Sequence, residues 1–215
     1  MLSIGVDFGT TNSSVAVYDG STVRLLPLDP SAKDARVMRS LIYIERSGGA
    51  AFGLEALDRY MSQNTGRSVR FERQLVGEIE MVFADIGRML KDTFAIIDVN
   101  EPGRLFQSLK RFLPNTTFKA TNVFGVEYSI EDLLALLARA IVTRTEEATG
   151  EKVGHLTVGC PVRFSDDPEA EALARTRLTD AWKIAGAVSV SLSVRSRWCL
   201  PTSAACSRTP SRSST

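Results

Sequence analysis

Two stretches of alternating apolar residues, 2–7 and 14–18, flank a Gly-Thr-Thr turn and predict a β-hairpin at the N-terminus. Asp19-Gly20 predicts a second tight turn, and 23–28 a third strand. Residues 30–39 read as a loop, and 40–45 as a strand ending at Ser47-Gly48-Gly49. A short helix is expected over 54–62. Ile79, Val82, Phe83, Ile86, Met89 and Leu90 recur at helical spacing and predict a helix over 79–90. Another short helix is expected over 104–113, stopped by Pro114, and then a hairpin over 118–128 turning near Asn122 or Gly125.

Two later helices have clear ends. The first has Ser129 as N-cap, Asp132 three residues on, an apolar face through Leu133, Leu137, Ala140 and Ile141, and Gly150 as its stop. The second starts at Asp166 or Asp167, carries Pro168 in its first turn and ends at Gly186. Between them 155–158 reads as a strand running into Gly159-Cys160-Pro161. Val188, Val190, Leu192 and Val194 alternate like a weak edge strand. Strands first, an irregular middle, then helix–strand–helix indicate an α/β domain.

Composition adds limits. The apolar fraction of 44% and charged fraction of 24% are ordinary for a globular protein, and no run of 18 apolar residues exists to span a membrane. The N-terminus lacks a basic region and places Asp7 in its first apolar stretch, unlike a signal peptide, so a cytoplasmic location is expected. Cys160, Cys199 and Cys206 show neither disulfide nor metal-ligand spacing, and the single His155 reads as a strand-entry residue. Charge is uneven along the chain. Before position 187 there are 22 basic and 25 acidic residues; the last 29 contain four Arg, nine Ser and no acid.

The turn Asp7-Phe8-Gly9-Thr10-Thr11-Asn12 has the makings of a phosphate grip. Consecutive backbone amides in a tight turn can hold phosphate, Gly9 allows close approach, and Thr10 and Thr11 add hydroxyls. Asp7, at the end of the first strand, can reach a Mg²⁺ ion through its water shell. Nucleotide loops of the P-loop and dinucleotide types run from strand into helix, whereas this turn runs into another strand.

The string Ile4-Gly-Val-Asp-Phe-Gly-Thr-Thr-Asn-Ser-Ser-Val-Ala-Val17 resembles the first phosphate motif of the Hsp70 family, within the actin/Hsp70/sugar-kinase superfamily. Three further segments follow in the family's order. Ser108-Leu-Lys-Arg-Phe-Leu113 resembles the segment whose lysine reaches the γ-phosphate and attacking water, which nominates Lys110 as catalytic beside Asp7. Thr157-Val-Gly-Cys-Pro-Val-Arg-Phe164 resembles a strand end whose proline relays nucleotide state, here Pro161. Lys183-Ile-Ala-Gly186 matches a helix end that, counted backwards, puts Arg175 on the arginine partnering that proline, although six extra residues lie between Phe164 and Arg175.

The resemblance implies the first lobe of an actin-like (ribonuclease H-like) ATPase, a mixed sheet with flanking helices, over 1–186, with a small inserted subdomain over about 30–103. It implies ATP/ADP and Mg²⁺ as cofactors, held by Gly9, Thr10, Thr11 and Asn12, and ATP hydrolysis coupled to protein folding. Unfolded clients and co-chaperones are the implied partners, with no nucleic acid and no membrane. The 103-residue spacing from Asp7 to Lys110 and the Arg163 in place of an aromatic fit the divergent bacterial YegD-like branch. A carbohydrate-kinase lobe of the same superfamily shares Asp-x-Gly-Thr-Thr but lacks the later segments.

The family's second Asp-x-Gly-Gly-Gly-Thr loop and its adenosine loop do not occur in these 215 residues, so this chain alone is expected to be an inactive, truncated copy. Where the family reads Glu-Pro-Thr/Val-Ala-Ala, the chain has Ser196-Arg197-Trp198. Those residues can be coded by AGC CGG TGG, which one base over gives GAG CCG GTG, Glu-Pro-Val. A frameshift near 187–190, making 187–215 an aberrant Ser/Arg-rich tail, is the expectation that follows, with a disordered basic tail as the alternative.

Overall fold

The computed structural model describes residues 3–83 and 87–194, with side chains throughout except in 76–83 and 87–93. The predicted N-terminal meander forms: β1 (Ser3–Phe8), β2 (Asn12–Tyr18) and β3 (Val23–Leu25) pair antiparallel, with Asp19 closing the second turn through bonds from the Ser21 and Thr22 amides. The expected loop over 30–39 holds one short element, β4 (Met38–Arg39), which pairs with the start of β2. Next come β5 (Leu41–Glu45), β6 (Ala50–Phe52) and α1 (Leu54–Asn64), whose first amide, that of Leu54, is capped by the buried Asp29 carboxylate at 2.8 Å.

The expectation of a helix over 79–90 is wrong. β7 (Phe71–Phe83) and β8 (Gly87–Asp98) form a long antiparallel hairpin, in register from Phe71↔Asp98 to Phe83↔Gly87 with one bulge near Gly77. Residues 84–86 of the expected helix lie outside the described residues. A set of apolar residues spaced to suit a helix can also be divided between two strands, and pairing along the whole length decides the matter.

The expected helix over 104–113 is half corrected. Its first part is β9 (Gly103–Gln107), which pairs with β5 from Leu41↔Gln107 to Glu45↔Gly103; only Leu109–Phe112 is helical, as one 3-10 turn. Gly103 is needed there because a Cβ would lie 2.4 Å from the Tyr43 ring. The hairpin β10 (Ala120–Val123) and β11 (Val126–Ser129) turns at Phe124-Gly125.

The remaining elements follow the sequence closely. α2 (Ile130–Thr149) opens with a reciprocal capping box between Ser129 and Asp132 and stops at left-handed Gly150. β12 (His155–Cys160) is followed by α3 (Pro168–Ile184), capped by Asp167 and ended at Gly186 with φ 108°. β13 (Ser189–Val194) then pairs parallel with β12 as an edge strand; residues 195–215 of the expected tail lie outside the described residues.

These elements make a mixed sheet in the order β13-β12-β1-β2-β3, with β1, β12 and β13 parallel to one another. α2 and α3 cover it through Leu133, Leu137, Ile141, Leu178 and Trp182, whose ring meets Phe8 edge-on at 5.4 Å. A second sheet, β6-β5-β9, packs with α1. β5 divides the two cores: Ile42 and Ile44 face the first, and Leu41 and Tyr43 the second with Ala51 and Ala56. Burial on both faces is what a continuous apolar run in a strand signals. Among the described residues no helix is long and apolar enough to cross a membrane.

Candidate functional site

The site gathers at the C-terminal ends of the parallel strands β1 and β12. In α/β sheets this edge is open, because each chain leaves its strand there and diverges, and ligands bind in the gap. Phe8 and Ser13 are the last paired residues of the first hairpin, and Gly9–Asn12 forms the turn between them. The turn is tight: a Cβ on Gly9 would sit 2.1 Å from the Asn12 carbonyl oxygen. No other residue fits without moving backbone.

Lys110 enters from the 3-10 turn after β9. Its approach is set by Ser108, held at a left-handed φ of 57°, a conformation seldom adopted by residues other than glycine. Lys110 is 8% exposed, and its ammonium donates to the carbonyl of Phe8 and, at 3.4 Å, to that of Gly159. It therefore ties the ends of β1 and β12 together. Burial pushes its pKa down from 10.5 to about 8. The rings of Phe8 and Phe164 lie 5.5 and 5.8 Å from the ammonium.

Gly9, Thr10, Lys110, Arg111, Pro161 and Arg163 line one cleft of about 220 Å³. Four of the residues nominated from sequence thus meet across three distant segments. Asp7 lies on β1 opposite Ser14, one residue before the strand ends, with an exposed side chain. Thr11 lies with Thr10 in a neighbouring depression of about 130 Å³ bordered by Arg39, Ser40 and Ser108. Asn12 opens β2 and pairs with Arg39.

Arg175 reaches across from α3 to the strand end. Its guanidinium contacts the Cys160 sulfur at 3.6 Å and the Val162 carbonyl at 3.4 Å, straddling Pro161. Between Phe164 and Arg175, residues 165–167 belong to the loop after β12 and residues 168–174 to α3. Glu171 organises that loop: it accepts from the Phe164 amide at 2.6 Å, the Ser165 amide at 3.2 Å and Arg175 Nε at 2.7 Å. Burial raises the Glu171 pKa, but the two amides and Arg175 outweigh it and hold the carboxyl below its usual range.

Sequence reasoning missed three contributors. Ser40 bonds the Gly9–Asn12 turn directly, but it lies 31 residues from Gly9 and belongs to no local motif. Glu171 was readable as an i,i+4 partner of Arg175 on one helix. Arg177 is 9% exposed; it donates to the carbonyls of Leu113, Asn115 and Phe118 and pairs with Glu131 at 3.0 Å. It fastens the loop that follows Lys110 to α3 and α2. An arginine on a helix gives no sign in sequence of being buried.

The model of the Hsp70 protein family matches residues 3–192. The chain belongs to the Hsp70 family. The match spans the strands and helices that build the site, and a mixed α/β architecture is consistent with an actin-like ATPase lobe. It also runs past Gly186 into β13, within the segment whose composition had suggested the tail. Hsp70 proteins are, as a family, chaperone ATPases that bind nucleotide with Mg²⁺.

Proposed function

We propose that the cleft lined by Gly9, Thr10, Lys110 and Pro161 receives the phosphate chain of Mg-ATP or Mg-ADP, as the first-lobe half of an Hsp70-type chaperone ATPase. One observation carries the reading: a glycine-dependent turn, Thr10 and the buried Lys110 line one cleft where β1 and β12 end, with Thr11 in the neighbouring depression. Such a donor set suits phosphate oxygens, which accept strong hydrogen bonds from amides, hydroxyls and cations. The partners described for Lys110 are two carbonyls and two ring faces, and a phosphate would add an anion there.

In this reading Gly9, Thr10, Thr11 and Asn12 grip phosphate, and Asp7 faces the Mg²⁺ water shell. The Mg²⁺ ion would neutralise charge on the phosphates. Lys110 orients the attacking water and stabilises charge at the γ-phosphoryl group; positioning and charge account for most of such catalysis. Pro161, held between the two Arg175 contacts, moves with the end of β12 and passes the nucleotide state to α3. In the intact protein the recipients are a client-binding part and co-chaperones, and the setting is cytoplasmic. The length of chain between Asp7 and Lys110, which includes the β7–β8 hairpin, favours the YegD-like branch. The family match disfavours the carbohydrate-kinase alternative.

The described residues taken alone would supply one wall of the phosphate site. The chain's expected affinity for Mg-ADP is weak, about millimolar, with negligible turnover. A titration with Mg-ADP followed by amide NMR tests this: the signals of Gly9–Asn12 move first, and Lys110→Ala abolishes the shift. Unmoved signals in that turn would overturn the assignment. The acid-free stretch 187–215 is proposed to be a wrong-frame translation beginning near 187–190; an intact frame with no downstream Hsp70 codons would overturn that.

A further inference from the structure

Ser40 sits between β4 and β5, 5% exposed, directly behind the phosphate turn. Its hydroxyl donates to the Gly9 carbonyl at 2.9 Å and its amide to the Thr11 carbonyl at 2.8 Å. The Ser13 hydroxyl lies 3.0 Å from the same oxygen. A hydroxyl has one proton, and here it goes to Gly9, so Ser13 is the donor to Ser40. Ser40 thus holds both ends of the turn and is itself held from β2.

These bonds have a directional consequence. No cis peptide occurs among the described residues. In a trans peptide the carbonyl and the following amide point in opposite directions. With the carbonyls of Gly9 and Thr11 drawn toward Ser40, the amides of Thr10 and Asn12 point away from it. Two amides turned to the same side can both donate to one anion. Left to itself a Gly-Thr-Thr segment has many conformations, and fixing one residue's backbone costs about 1–2 kcal/mol. Ser40 meets that cost during folding, before any ligand arrives.

Ser40 is also connected to Lys110. It immediately precedes β5, and Ser108 immediately follows β9; the two strands pair up to Leu41↔Gln107 at that same end. One small sheet therefore delivers the brace of the turn and the lysine together.

We propose that Ser40 is a positioning residue that sets the amides of the phosphate turn, and that β5–β9 pairing keeps this brace and Lys110 in fixed relation. The inference rests on the phosphate-binding reading for its functional part only. Ser40→Thr and Ser40→Val have the same shape and differ in the hydroxyl, so both carry the same steric load. In the 215-residue chain, Ser40→Val displaces the amide signals of Gly9–Asn12 and of Leu109–Phe112 without nucleotide, while α2 signals stay in place. Ser40→Thr keeps the wild-type pattern. With Mg-ADP, Ser40→Val weakens binding about 10-fold, and Ser40→Thr stays within about threefold of wild type. Equal behaviour of the two variants, either both normal or both impaired, overturns the proposal. If wild type binds no Mg-ADP, the phosphate-binding reading fails, and the ligand-free signals still decide whether Ser40 sets the turn.

Discussion

The ammonium of Lys110 donates to the carbonyl of Phe8, 102 residues earlier, and so closes the end of β1 with a buried positive charge. Its lowered pKa makes a pH prediction with a definite sign. Below about pH 8 the lysine is protonated in both folded and unfolded chains, and the cost of burying the charge is fully present. Between about 8 and 10.5 the folded protein sheds the proton first, the unfolded chain binds more protons, and stability rises with pH by up to about 3 kcal/mol. Urea unfolding of wild type and Lys110→Met across that range checks this. The difference between the two should grow in favour of wild type as pH increases; parallel curves would show that the lysine is not desolvated.

Phosphate at the cleft opposes this shift, since a nearby anion favours the charged amine. Mg-ADP binding above pH 8 is therefore expected to take up a proton. Calorimetry in buffers of different ionisation enthalpy measures it, and Lys110→Met should show none.

Gly9→Ala places a methyl 2.1 Å from the Asn12 carbonyl, so the turn must open. Core packing around Phe8 remains, and the expected loss of stability is about 1–3 kcal/mol. Nucleotide binding should fall far more than stability does. A thermal melt beside an NMR titration separates the two, and a variant that binds as wild type does would contradict the geometry of the turn.

Arg175 and Arg177, two residues apart on α3, should respond very differently. Arg177→Met leaves three carbonyls and Glu131 without their buried partner, and should cost about 3–5 kcal/mol. Arg175→Met removes a partly exposed arginine and should cost less than about 1 kcal/mol. Chemical denaturation midpoints decide, and similar values for both would mean that the loop after Lys110 is not held by Arg177.

Ser129→Ala breaks both halves of the capping box at the start of α2, one through the lost hydroxyl and one through the Asp132 carboxylate that it helps to orient. The expected cost is about 1 kcal/mol. Hydrogen exchange in the first turn of α2 should quicken before any change appears near Gly150.

Much of this was readable because the signals are complete within a few residues. A turn that needs glycine, a Ser129–Asp132 capping box, Asp167 before Pro168 and the left-handed glycines 150 and 186 all act on their own neighbours. Those fixed the hairpin β1–β2, its tight Gly9–Asn12 turn and both long helices. What lay outside the sequence's reach was every choice that requires a distant partner. The chain over 104–107 becomes a strand because β5 offers it a ladder, and the apolar residues over 79–90 fall into two strands because their backbones pair with each other. Backbone hydrogen bonds in a helix are local and can be anticipated from spacing; those in a sheet belong to two segments and cannot. The same holds for side chains. Ser40, Arg177 and the carbonyls that Lys110 meets acquire their roles only when the fold removes water from around them and leaves one another as partners.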